Sequence, residues 1–171
     1  MFLNIHTHHF EPDEAIIQVQ NLIIDSAIPD EVWIKQLESS LPNQYFSVGL
    51  HPWYLKETQL ETDLALLKRI LAHPKVLFVG ECGLDKICQT DWTFQINVFK
   101  TQIQIAEEFQ KPMVIHCVRA FSEIIQIKKL LRPRLPWLIH GFNNNEQILN
   151  QLIQHQLYIS LGAALLQDKS N

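Results

Sequence analysis

Two histidines one residue apart, His6 and His8, open the chain, and later residues of metal-ligating type answer them. Glu81 stands in Gly-Glu-Cys-Gly-Leu-Asp, His116 in Met-Val-Ile-His-Cys and His140 in Trp-Leu-Ile-His-Gly. Each follows a short apolar run and sits at a break to Gly, Cys or a polar residue. A side chain at the C-terminal end of a buried parallel strand has that context. Several such ends converge on one face of an α/β barrel, and imidazole with carboxylate is the donor set of a hydrolytic divalent metal. The pattern predicts a metal-dependent hydrolase.

Positions i and i+2 of a strand face the same side, so His6 and His8 can share one ion while His9 faces away. Glu81 is costly to bury unpaired. A salt bridge to Lys86 or Arg119 would explain it structurally. A carboxylate bridging two ions about 3.5–4 Å apart would explain it catalytically. His116 and His140 have the same strand-end setting and would complete separate metal positions. His73, before Pro74, and His155, at a helix end, read as surface residues.

The elements that must position these groups alternate. Predicted strands are Phe2–His6, Ile16–Ile24, Tyr45–Leu50, Val76–Gly80, Met113–His116, Trp137–His140 and Leu157–Ser160. Helical patterns fall near Pro29–Ser39, Thr58–Ala72, Thr90–Phe109, Ala120–Leu131 and Asn144–His155. The third places Phe94, Val98, Ile105, Ala106 and Phe109 on one face. Asp63 and Asp91 read as early-turn or capping acids, and Asn143-Asn144-Asn145 as a loop feeding a helix cap. Pro74, Pro112 and Pro136 close loops into the next strand.

Alternating strands and helices imply parallel βαβ units with right-handed crossovers. The expected fold is an α/β, TIM-type (β/α) barrel. Seven strands are countable where a full barrel has eight and typically about 250 residues, so the last strand is expected to be missing from a single domain of 171 residues. An exposed sheet edge between the first and seventh strands follows.

The formal charge is −4, from 14 basic and 18 acidic residues. No global basic field concentrates nucleic acid. The basic run Lys128 to Arg134 reads as a solvated helix end. Three cysteines, Cys82, Cys88 and Cys117, make an odd number without a framework spacing, which favours a reducing, cytoplasmic setting. Cys82 and Cys117 read as small strand-end residues facing away from the site. No run approaches the roughly 20 apolar residues of a membrane span, and the N-terminus does not read as a signal peptide.

With these residues in view, the chain resembles the TatD family of metal-dependent deoxyribonucleases. The resemblance rests on Asn-Ile-His6-Thr-His8, Val-Gly-Leu-His51-Pro52, Gly-Glu81-Cys-Gly-Leu-Asp85, Ile-His116-Cys and Ile-His140-Gly-Phe142, in family order from residue 3 to about 162. It implies phosphodiester hydrolysis of DNA with two divalent ions, Zn²⁺, Mn²⁺ or Mg²⁺. It assigns His6 and His8 to one metal, Glu81 as the catalytic bridge, and His116 and His140 to the other. His51 looks like the phosphate-side histidine. Asp85, Lys86 and Arg119 are expected near the substrate phosphate. Trp53 and Phe142 could stack on a base or simply pack between loops.

Three positions depart from the family pattern. Asn4 replaces an Asp two residues before the first metal histidine, and Val118 an Arg two residues after His116. The family's final metal-binding Asp has no counterpart, and Asp168 lacks the strand context to replace it. Two other readings therefore stand beside the nuclease. The same site could hydrolyse a small phosphoester, amide or lactone, or the chain could be a non-catalytic metal-binding remnant.

Overall fold

The computed structural model describes residues 2–162. The predicted tail, Gln167 to Asn171 with Asp168, lies outside the described residues. Seven strands form one sheet in sequential order, and every neighbouring pair is parallel. The strands are β1 (Phe2–Thr7), β2 (Ile16–Ile23), β3 (Gln44–Gly49), β4 (Val76–Asp85), β5 (Met113–Val118), β6 (Trp137–Ile139) and β7 (Leu157–Ile159). The helices are α1 (Asp30–Glu38), α2 (Leu60–Leu71), α3 (Trp92–Phe109), α4 (Phe121–Leu131) and α5 (Glu146–Gln154). Among the described residues this is the TIM-type order without a closing strand. Among the described residues β1 and β7 each have one neighbour, so the expected open edge is present.

Every crossover carries a helix except the first, where residues 8–15 join β1 to β2 without one. The core lies between the sheet and its helices. Phe46, Val79, Met113, Ile115, Trp137 and Ile139 from the strands are buried with Leu66, Leu67, Leu71 and Phe99 from the helices. Removing such apolar surface from water is the main favourable contribution to folding, about 25 cal/mol per Å².

Local chemistry marks the boundaries. Asp91 Oδ1 accepts from Phe94 N at 2.8 Å and caps α3, and Asn145 Oδ1 accepts from Ile148 N at 3.0 Å and caps α5. Asp63, in the first turn of α2, instead accepts from Ser26 N at 2.8 Å and ties down the loop after β2. The third helix differs in detail from its predicted face: Val98, Ile105 and Ala106 are buried, but so are Gln95 and Gln102, while Phe94 and Phe109 are only partly covered.

The largest departure is β4, which runs to Asp85 rather than ending at Gly80. Its glycines explain why the apolar pattern breaks while the strand does not. Gly80 and Gly83 have φ of 145° and 149°, a region that side chains disfavour. A Cβ at Gly83 would stand 2.0 Å from the His116 carbonyl oxygen. β4 therefore lies against β5 closely enough to bring Glu81 and Asp85 under His116. No helix among the described residues is long and apolar enough to cross a membrane.

Candidate metal centre

Glu81 occupies the centre of the site, on the extended part of β4, and is buried. Its main chain is held from β2: Glu81 N donates to Asn21 Oδ1 at 2.7 Å, and Ser47 Oγ on β3 donates to the same oxygen at 3.1 Å. Its carboxylate faces four imidazoles. Oε1 lies 2.8 Å from His116 Nδ1, 3.0 Å from His140 Nε2 and 3.5 Å from His51 Nε2. Oε2 lies 3.4 Å from His6 Nε2, which is itself 3.4 Å from His8 Nε2. Neither Lys86 nor Arg119 pairs with it among the contacts formed. The structural salt-bridge explanation is replaced by a histidine nest.

The charges follow from this packing. Burial alone would push the Glu81 carboxyl upward, but hydrogen bonds from His116, His140 and His51 hold it well below the usual carboxylate range. Burial lowers His6 to about 4, helped by the nearby His140 and opposed by Glu81. His51 is lowered by burial against the pull of Glu81. His116 moves the other way: burial disfavours its charge, but carboxylates at both ring nitrogens raise it above the ordinary histidine value.

Donor atoms group in two sets, His6 with His8 and Glu81, and His51 with Glu81 and His116. Zinc–nitrogen bonds of 2.0–2.1 Å set tetrahedral ligands about 3.4 Å apart. The His6–His8 and His6–Glu81 separations have that length, so His6 stands at ligand spacing from both other members of the first set. In the second set the 2.8 Å contact of His116 with Glu81 is a hydrogen bond, whose proton a cation would replace. His140, expected with His116, contacts Glu81 directly and lies tilted beside His6 at 4.1 Å between ring centroids.

Asp85 is fully buried. Its Oδ1 accepts from Ile87 N at 2.8 Å and Cys88 N at 3.3 Å. Its Oδ2 accepts from Trp53 Nε1 at 2.6 Å and contacts His116 Nε2 at 3.0 Å. With its oxygens occupied in this way it has no exposed face for a phosphate. Lys86 pairs with Glu123 of α4 and lies over the Trp92 ring, so its charge is spent there. Arg119 is exposed and lines a groove with His140, Phe142 and Asn143. His51, Trp53, Tyr54, Glu81, His116 and His140 surround a cleft of about 200 Å³.

His9 is exposed and away from the nest. Burial pushes the Cys82 and Cys117 thiols upward, the reverse of what a thiolate ligand needs. Asn4 accepts from the His6 main-chain N–H at 3.3 Å, and among the described residues the His6 ring Nδ1 has no partner. The substituted position therefore does not orient the ring.

Sequence reasoning missed three supports. Gln102 clasps both N and O of Leu50, the residue before His51, at 2.8 and 3.0 Å. Gln95 does the same to Asp85 at 2.8 and 3.0 Å. Asn21 holds Glu81. The available signal was a glutamine pair seven residues apart on the apolar stripe of α3, where an unpaired amide would be costly.

Comparison with known proteins agrees with this architecture. Residues 5–171 match the family model described as TatD related DNase. The human 3'-5' RNA nuclease TATDN2 is 30% identical over 164 residues, covering 94% of this chain and 21% of that protein. The 3'-5' ssDNA/RNA exonuclease TatD of Citrobacter rodentium is 28% identical over 130 residues, covering 74% of this chain and 49% of that protein. Among solved structures, the TatD homolog YJJV from Escherichia coli aligns with a TM-score of 0.75 at 22% identity, over 92% of this chain and 66% of that one. The chain thus spans about half the length of its bacterial relative, and the family-model match includes His6, His8, His51, Glu81, His116 and His140. The chain belongs to the TatD related DNase family.

Proposed function

We propose that this chain is a metal-dependent phosphodiesterase acting on nucleic acid, with Glu81 bridging two divalent-cation positions. The observation that carries the reading is a buried carboxylate whose two oxygens face imidazoles from β1, β5 and the segments just after β3 and β6. Relatives named as nucleases support the substrate class. His6 and His8 serve one position, and His116 and His140 serve the other. Divalent cations held there supply Lewis acidity, polarising a phosphoryl oxygen and acidifying water. Mixed imidazole and carboxylate donors favour Zn²⁺ or Mn²⁺ over Mg²⁺.

The protein's own groups divide the remaining work. His51 Nδ1 accepts from Trp53 N at 3.2 Å, which leaves the proton of the neutral ring on Nε2. That nitrogen points into the cleft as a donor, so His51 suits a phosphate oxygen better than a cation. In His116 the roles are reversed. Asp85 accepts from Nε2, leaving Nδ1 to the metal, the carboxylate–histidine arrangement that fixes ring and tautomer. Asp85 is thus a positioning residue rather than a phosphate contact. Arg119 is a cation in the neighbouring groove, which shares His140 with the cleft.

Asp85→Asn is expected to weaken metal binding by about 10–100-fold, because an amide can offer its NH₂ rather than an acceptor to His116. Competition with a chromogenic chelator measures this. Unchanged affinity would remove Asp85 from the site.

The test of the function is cleavage of end-labelled single-stranded oligonucleotides by the chain reloaded with Zn²⁺ or Mn²⁺. Elemental analysis is expected to find two ions per chain, and chelation is expected to abolish cleavage, which added metal restores. The net charge of −4 and the neutralised Lys86 favour a second reading, a small phosphoester substrate. Cleavage of a nitrophenyl phosphodiester without salt-sensitive oligonucleotide binding would select it. Bound metal with neither activity would make the chain a non-catalytic member.

A further inference from the structure

Beside the metal cleft lies a second cavity of about 400 Å³. Ile23, Trp53 and Tyr54 line both, so these three residues form a wall common to the two spaces. Ile24, Ile28 and Leu55 make the rest of that wall apolar. Trp53 and Tyr54 are 55% and 54% exposed, although their rings stand beside a buried site. The Trp53 centroid is 5.0 Å from that of His51 and 5.6 Å from that of His116.

Exposed aromatic surface at that place is not a loose side chain. The indole Nε1 donates to the buried Asp85 carboxylate at 2.6 Å, and the short 3₁₀ turn Pro52–Tyr54 is tied at its start by His51 Nδ1. The ring is therefore fixed by its edge, while the residue remains half exposed. The polar residues of the cavity are Asp25, Lys56, Gln59 and Asp63, two carboxylates against one ammonium, a balance that does not favour a second phosphate. Next to a phosphate-binding cleft, such a space suits an uncharged planar ring carried on the same substrate.

We propose that Trp53, Tyr54 and the isoleucine wall form a nucleobase subsite, in which a base stacks on the indole while its phosphate lies against His51. This deepens the nucleic-acid reading of the cleft and rests on it. Stacking on an aromatic face tolerates any base, so the subsite would distinguish a nucleotide from a bare sugar phosphate rather than one base from another. Because Asp85 holds both Trp53 and His116, the same carboxylate sets the positions of the base platform and a metal ligand.

The experiment compares thymidine 5'-monophosphate, 2-deoxyribose 5-phosphate and thymidine on the metal-loaded chain. Affinities come from calorimetry, and the Trp53 indole N–H resonance is followed by NMR. The nucleotide is expected to bind about tenfold or more tighter than the sugar phosphate, and thymidine alone is expected to move the Trp53 resonance. Trp53→Ala should remove the preference, and Trp53→Phe should restore most of it. Equal affinity for the two phosphates, or a preference that survives Trp53→Ala, overturns the subsite even if oligonucleotides are cleaved. Conversely, a Trp53 shift with thymidine in a chain that cleaves no phosphodiester keeps the subsite and rejects the nuclease reading.

Discussion

Glu81→Gln is expected to lower phosphodiester hydrolysis by roughly a thousandfold or more and to reduce bound metal below two ions per chain. The magnitude matches the loss of a group that organises charge directly at a reacting centre. The neutral amide offers only one oxygen acceptor, so it cannot bridge two cations, and its NH₂ would confront an imidazole donor. The backbone at this position is held by Asn21, independently of the side chain, so the variant keeps its fold. Single-turnover cleavage of an end-labelled oligonucleotide with parallel elemental analysis measures both effects, and circular dichroism checks the fold. Full activity with two bound ions would rule out Glu81 as the bridge. A control at Glu123, which pairs with Lys86 outside the nest, should leave metal content unchanged.

The metal-free chain is expected to lose about 3 kcal/mol of stability between pH 7 and pH 4. His6 drops from an ordinary 6.5 to about 4 on folding because burial disfavours its charge. At 1.36 kcal/mol per pKa unit, that difference is worth about 3 kcal/mol. The folded-state value is depressed, so through this window the unfolded chain binds the proton more readily. Stability is fully present above 6.5 and falls as the pH drops towards 4. His51 is lowered too and acts in the same direction. His116 is raised, so its contribution is complete below 6.5 and is lost only as the pH climbs through its higher folded value. Glu81 is held low enough to stay ionised throughout the window.

A loss of that size is a large share of the roughly 5–15 kcal/mol that holds a domain together. Urea unfolding in chelator at pH 7, 5.5 and 4 tests it, with His6→Gln expected to flatten the profile. Equal midpoints at pH 7 and pH 4 would show that His6 is not buried as a neutral ring. Reloading with Zn²⁺ should stabilise the chain at neutral pH, and acid should release the metal, because protons and cations compete for the same nitrogens.

Most of the architecture was legible in the chain. Short apolar runs and 3.6-residue periodicities located all seven strands and five helices, because burial on both faces of a parallel sheet and on one face of a helix leaves local composition patterns. The ends were harder to read. β4 continues five residues beyond its apolar run, through glycines that a composition pattern reads as a stop. Gln95 and Gln102 stand out on the apolar stripe of α3, but what they hold is not local: their partners are main-chain groups of Asp85 and Leu50 outside the helix.

The sequence by itself determined which residue types gather at the site and in what strand order. Ligands at strand ends converge in any closed or nearly closed parallel barrel. Only the tertiary structure decided what each group faces. Asp85, expected at a phosphate, turned inward to hold His116 and Trp53; Lys86, expected beside it, was taken by Glu123. Those outcomes depend on register and side-chain direction between residues more than thirty positions apart. Local patterning constrains neither, whereas packing β4 against β5 at van der Waals distance settles both.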